Sequence, residues 1–111
     1  MKLKELQDVA CFTLETKRKS NNDLEIIAKL KNIVSGKIIG EVKNTLNIIE
    51  TNNMIEASES YGSINEVTWE GIISSTKIML INHVLNIYGV DDFHLEQPKD
   101  IDMLTCDINN F

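Results

Sequence analysis

Residues with apolar side chains recur every three or four positions along most of this chain, which is the spacing of an amphipathic helix. In residues 2–19 one such stripe contains Leu3, Leu6, Ala10, Thr13 and Leu14. In residues 23–50 the same spacing continues through Ile27, Leu30, Val34, Ile38, Val42, Leu46 and Ile49. The pattern therefore predicts one helix over residues 2–19 and a second over residues 23–50.

Two glycines interrupt the second predicted helix. Gly36 and Gly40 lie four residues apart in the stretch SGKIIG. In a helix interior each glycine costs about 1 kcal/mol relative to alanine. We therefore expect the helix over residues 23–50 to be kinked near Gly36 and Gly40.

A β-hairpin is the alternative for the N-terminal region. The stretches CFTLETK (residues 11–17) and LEIIAKL (residues 24–30) both show some alternation of apolar and polar side chains. Between them lies SNND, whose side chains compete with helical backbone hydrogen bonds and favour turns. An α+β fold with an N-terminal hairpin therefore stays open beside the all-α fold.

A third helix is predicted over residues 64–88. Ser63 and Glu66 have the spacing of a capping box, in which the two side chains satisfy free amide groups at the helix start. The helical pattern then continues to Tyr88. Gly89 follows it, and a glycine at this place commonly closes a helix in the left-handed conformation.

The segment from Ile72 to Gly89 carries a single formal charge, Lys77, and raises the question of a membrane span. A transmembrane helix needs about 20 predominantly apolar residues with cationic anchors at its ends. This segment is also interrupted by Asn82, His83 and Asn86, and its flanks are acidic. We therefore interpret it as a core helix that shares part of its surface with a subunit interface, and we expect no membrane contact.

The C-terminal residues 90–111 differ from the rest of the chain. They contain six carboxylates and one lysine, and their apolar residues show no sustained period. The expected architecture is therefore all-α, with a helical domain over residues 1–89. An irregular acidic segment over residues 90–111 packs on this domain or extends from it.

Charge is divided unevenly between the two parts of the chain. Residues 1–43 hold nine Lys or Arg and six Asp or Glu, whereas residues 44–111 hold two Lys and eleven Asp or Glu. The two parts attract each other, within one chain or between copies, which favours a homodimer. A net charge of −6 disfavours general nucleic-acid binding. A basic patch at Lys17, Arg18 and Lys19 keeps a nucleic-acid-binding regulator as the alternative function.

Few residues suggest a metal-binding or catalytic role. The cluster DDFHLE offers Asp92, His94 and Glu96 as metal ligands if the backbone is extended, but an acidic surface loop is the simpler interpretation. Nucleotide-binding and nucleophile motifs are not found. We therefore predict no catalytic residue, no cofactor and no metal. Cys11 and Cys106 form no CxxC pair, so we expect a cytoplasmic protein with reduced thiols and leave their pairing open.

These observations favour a small non-enzymatic protein that acts by occupying the surface of a protein partner. An inhibitor, an immunity protein for a basic toxin, or a phage or bacterial accessory protein would fit an acidic domain of this size. The expected partner is therefore basic. The residues predicted to contact a partner are Trp69, Asp91, Asp92, Glu96, Asp100 and Asp102.

Overall fold

A computed structural model describes residues 1–60 and 67–106 of the chain. A short helix α1 (Leu3–Gln7) precedes three strands, β1 (Ala10–Arg18), β2 (Leu24–Asn32) and β3 (Ile38–Leu46). Two helices follow, α2 (Ile48–Ser60) and α3 (Trp69–Ile87), and then a 3₁₀ helix (Pro98–Met103). The described chain is therefore an α+β protein.

The three strands form one antiparallel sheet in the order β1-β2-β3. Leu14 lies opposite Ala28, which lies opposite Val42, so these three side chains share one face. This face is apolar and packs against α3, where Leu80 and Ile81 are buried. The opposite face is rich in glutamate and lysine, and most of its side chains are half-buried or exposed, although Ile27 at its centre is buried.

The predicted all-α fold is wrong, and so is the description of the protein as helical. The alternative, an α+β fold with an N-terminal hairpin, fits the structure, because β1 and β2 pair across residues 10–32. The apolar residues spaced by four also satisfy a period of two, since four is a multiple of two. Residues 30, 34, 38, 42 and 46 therefore follow the spacing of a helix and of a strand equally well.

The kink predicted near Gly36 and Gly40 is instead a turn followed by a strand. Gly36 has φ = 73°, a conformation that glycine adopts without steric cost. The Asn32 side chain stabilises the same turn, because its Oδ1 accepts hydrogen bonds from the amides of Val34 and Ser35, each at 2.9 Å. The chain therefore reverses direction where a helix was expected.

Helix α3 is present but starts later than predicted. Thr68 caps it, with its Oγ1 accepting a hydrogen bond from the Gly71 amide at 3.0 Å. The predicted capping box at Ser63 and Glu66 lies outside the described residues. The predicted end is confirmed: Gly89 has φ = 72°, and the Val90 amide donates to the Leu85 carbonyl at 2.9 Å.

Burial on α3 is one-sided. Leu80, Ile81, Val84 and Leu85 are buried, whereas Met79 and Ile87 are exposed by 53% and 62%. The helix is therefore a core helix whose outer side mixes these two apolar residues with polar ones such as Ser75, His83 and Asn86. No helix in the described ranges is long and apolar enough to cross a membrane.

The segment after α3 belongs to the core despite its lack of period. Its buried side chains are Val90, Leu95, Ile101 and Leu104. The buried Asn82 holds it through two hydrogen bonds to Leu95, one to the carbonyl oxygen at 2.8 Å and one from the amide at 2.9 Å. Residues 90–106 are therefore packed on the remainder of the fold rather than extending from it.

A disulfide joins Cys11 on β1 to Cys106, 95 residues later in the chain. Next to it, the Phe12 amide donates to the Leu104 carbonyl at 2.9 Å and the Cys106 amide donates to the Phe12 carbonyl at 2.8 Å. The expectation of reduced thiols is therefore wrong for this structure. A cytoplasmic location stays a prediction, which the disulfide weakens because such bonds persist mainly in oxidising compartments.

Substituting Asn82 should be costly. Asn82→Ala leaves the buried amide and carbonyl of Leu95 without partners, and we expect a loss of about 2–5 kcal/mol in the free energy of unfolding. Urea titration followed by circular dichroism measures it. The exposed Asn86→Ala on the same helix is the control and should change stability by less than about 1 kcal/mol. Equal losses for both variants would contradict the role of Asn82.

Removing the disulfide should destabilise the fold without changing it. The double variant Cys11→Ser/Cys106→Ser should lose about 2–5 kcal/mol, because a long loop in the unfolded chain is no longer closed. Reductant should lower the stability of the wild-type protein to that of the variant and leave the variant unchanged. A wild-type protein that is insensitive to reductant would argue against this bond.

Candidate interaction surfaces

The predicted partner-binding carboxylates lie on residues 91–102, here called the acidic segment. Asp91, Glu96 and Asp102 are exposed. Asp92 has a structural contact, because its Oδ1 accepts a hydrogen bond from the Leu3 amide at 2.8 Å, at the start of α1. Asp100 is half-buried. The segment therefore displays three carboxylates freely to solvent and uses one to hold the N-terminus.

The backbone of the acidic segment is held in place at several points. Asn82 holds Leu95, and Pro98 starts the 3₁₀ helix that buries Ile101. At the other end, the Asp91 amide donates to the Met1 carbonyl at 3.2 Å. The exposed carboxylates are consequently presented from a fixed backbone.

Ion pairing does not neutralise this segment within the described part of the chain. All three salt bridges there lie on the sheet and its first turn: Glu15 with Lys17 at 3.9 Å, Glu15 with Lys29 at 3.1 Å, and Glu25 with Lys19 at 3.5 Å. The acidic segment carries five carboxylates and one lysine. Its negative field is therefore directed at solvent.

The predicted basic patch lies at the far end of β1. Lys17, Arg18 and Lys19 are exposed, and the Arg18 Nη1 donates to the Asn22 carbonyl at 3.1 Å. The segment after α3 meets β1 at Phe12, near the start of this nine-residue strand. A strand rises about 3.3 Å per residue, so about 20 Å separates Phe12 from Arg18. The structure does not bring the basic patch and the acidic segment together.

Trp69 has a different environment from the acidic residues. It is half-buried at the first position of α3, and its indole N–H donates to the Asn52 Oδ1 on α2 at 2.8 Å. This bond joins the two helices. Trp69 is therefore part of the contact between α2 and α3 rather than of the acidic segment.

A cleft of about 810 Å³ lies between β1, α3 and the 3₁₀ helix. Its wall combines apolar side chains with Ser74, Lys77 and Asp102. Sequence reasoning missed it, because Lys77 and Asp102 line the same cleft only when the segment after α3 folds back on α3. Its volume is that of a ligand pocket, and its one cation and one carboxylate can bind polar groups.

The cluster DDFHLE is not assembled as a metal site. The Asp92 carboxylate accepts a hydrogen bond from the Leu3 amide, and the His94 Nε2 lies 3.5 Å from the Asn82 Nδ2. Among the residues that the structure describes, no group of three or more His, Cys, Asp or Glu side chains could hold a metal ion.

The turn between β2 and β3 exposes apolar side chains that sequence reasoning assigned to a helix. Val34 is exposed by 90% and Ile33 by 51%. The Asn32 hydrogen bonds hold the turn, so both side chains project from an ordered backbone. The signal in the sequence is Ser35 and the turn glycine Gly36 after the aliphatic pair Ile33 and Val34.

No protein-family model, curated protein or solved structure matches this chain. Its function must therefore be inferred from its own surfaces.

Proposed function

We propose that this protein is a non-enzymatic interaction protein that acts by occupying the surface of a basic protein partner. The observation that supports this proposal is the acidic segment, whose exposed carboxylates Asp91, Glu96 and Asp102 project from a fixed backbone without a cationic partner in the described chain. Inhibitors and immunity proteins are examples of proteins that act in this way.

A fixed acidic surface suits such a role for two physical reasons. Little conformational entropy is lost on binding when the backbone is already ordered, so more of the contact energy appears as affinity. Complementary charge also steers the two proteins together, which raises the association rate and makes it sensitive to salt. The hydrogen bonds of Asn82 to Leu95 supply the order.

Nucleic-acid binding through Lys17, Arg18 and Lys19 has less support. Lys17 and Lys19 each face a glutamate, at 3.9 and 3.5 Å, which offsets the charge available to phosphate. The patch also lacks the aromatic side chains on which bases stack.

The test compares two triple variants that remove the same charge. One neutralises the acidic segment (Asp91→Asn/Glu96→Gln/Asp102→Asn), and the control neutralises the exposed glutamates of α2 (Glu50→Gln/Glu56→Gln/Glu59→Gln). Binding to immobilised poly-L-lysine is measured by biolayer interferometry at several salt concentrations. We expect the first variant to bind about tenfold more weakly than wild type, because three exposed charge contacts of about 0.5 kcal/mol each are lost.

The control should bind within about twofold of the wild-type protein, since α2 lies outside the acidic segment. Equal weakening of both variants would mean that binding follows net charge alone. A wild-type protein that does not bind the probe at low salt would overturn the proposal.

A further inference from the structure

The outer edge of β1 is the feature that carries a further inference. The amide and carbonyl of Phe12 point away from β2, because they bond to Leu104 and Cys106. In an antiparallel strand these groups alternate in direction from one residue to the next. The backbone groups of Leu14, Thr16 and Arg18 therefore also point away from β2. The hydrogen bond from the Lys19 amide to the Asp23 carbonyl is consistent with this alternation, because it shows that the odd-numbered residues direct their backbone groups towards β2.

No described residue covers this edge over Leu14–Arg18, here called the β1 edge. The segment after α3 covers Phe12 and stops short of Leu14 within the described chain, where no backbone hydrogen bond reaches Leu14 or Thr16 from outside the sheet. A row of free backbone donors and acceptors is a template for another strand.

We propose that the β1 edge binds the β1 edge of a second copy of this chain, antiparallel, about a two-fold axis at Thr16. Leu14 then lies opposite Arg18 of the second copy, and Thr16 lies opposite Thr16 of the second copy. The outward backbone groups of Leu14, Thr16 and Arg18 then form hydrogen bonds with those of the second copy. The two three-stranded sheets become one sheet of six strands. The contact is the same on both sides, so it closes as a dimer.

Charge complementarity supports this occupant. In the proposed register Glu15 lies opposite Lys17 of the second copy, twice by symmetry. These are non-hydrogen-bonded pairs, in which the Cα atoms are about 4.5 Å apart and the side chains are closest. Opposite charges at such positions stabilise the pairing of strands. Lys17 is well placed for it, since its side chain is 64% exposed and lies 3.9 Å from its own Glu15.

The neighbouring registers are less favourable. Sliding the strands one way places Glu15 opposite Glu15 of the second copy. Sliding them the other way places Lys17 opposite Lys17, and the Glu15–Lys19 pairs that it offers would compete with the salt bridge of Lys19 to Glu25 at 3.5 Å. Like charges directly opposite destabilise a pair of strands. A further shift towards the N-terminus requires Phe12, whose backbone groups are already bonded to Leu104 and Cys106.

The outer edge of β3 is a less suitable site. The Tyr88 hydroxyl donates to the Ile39 carbonyl there at 2.7 Å, which occupies part of that edge. Opposite charges Glu41 and Lys43 would meet only in hydrogen-bonded pairs, where the Cα atoms are about 5.5 Å apart. The β3 edge is therefore the natural control. The proposed dimer does not depend on the acidic segment or on its partner.

The test measures the mass of the full-length protein by sedimentation equilibrium at micromolar concentrations. The wild-type protein should show twice the chain mass of 12.6 kDa. Thr16→Pro should be a folded monomer, because proline removes an outward amide that has no partner among the described residues. Lys43→Pro, its counterpart on the β3 edge, should remain a dimer. Circular dichroism checks that both variants are folded.

A charge swap tests the register. Lys17→Glu places two glutamates opposite each other and should weaken the dimer at least about tenfold. The double variant Glu15→Lys/Lys17→Glu restores opposite charges across the axis and should recover most of the dimer. Failure of the double variant to recover, while folded, would overturn the register.

Three other results would overturn the proposal. The first is a wild-type protein that stays a monomer. The second is a dimer that Lys43→Pro breaks and Thr16→Pro does not. The third, from hydrogen exchange, is protection of the Leu14 and Thr16 amides that does not depend on protein concentration, because another segment of the same chain would then cover the edge.

Discussion

The packing of α3 on the apolar face of the three-stranded sheet is the interaction on which the rest of this structure depends. A sheet of this size cannot bury its own apolar face, and here Ile26, Ala28 and Leu30 become inaccessible because α3 covers them. The helix in turn buries Leu80 and Ile81 in the core that it forms with this sheet. Each element therefore supplies the apolar surface that the other lacks.

The segment after α3 completes this core from the side. Leu95 and Leu104 fill it, Asn82 satisfies the buried backbone of Leu95, and the Cys11–Cys106 disulfide ties the end of the segment to β1. Apolar and acidic residues have no regular spacing here, because the backbone of this segment runs along the surface of the core without forming a long helix or a strand. This arrangement buries the apolar side chains and leaves the carboxylates outside on an ordered backbone.

The same arrangement determines which surfaces remain for partners. The segment after α3 covers the start of β1 at Phe12 and leaves Leu14–Arg18 uncovered within the described chain. The acidic segment and the β1 edge are consequently separate surfaces with different chemistry, charge in one and backbone hydrogen bonds in the other. The proposed partner contact and the proposed dimer therefore use different surfaces and can be tested separately.

The core helix up to Gly89, the turn-forming character of SNND and the acidic C-terminal residues could be predicted from the sequence. They depend on local composition and on a glycine at a left-handed position. The three strands β1, β2 and β3 could not be predicted in this way, because apolar residues four apart fit the period of a helix and that of a strand. The choice between them depends on α3, which covers one face of the sheet. The disulfide, the cleft shared by Lys77 and Asp102, and the β1 edge that the described residues leave uncovered also depend on the tertiary structure. These join residues far apart in the chain, and no local pattern encodes such contacts.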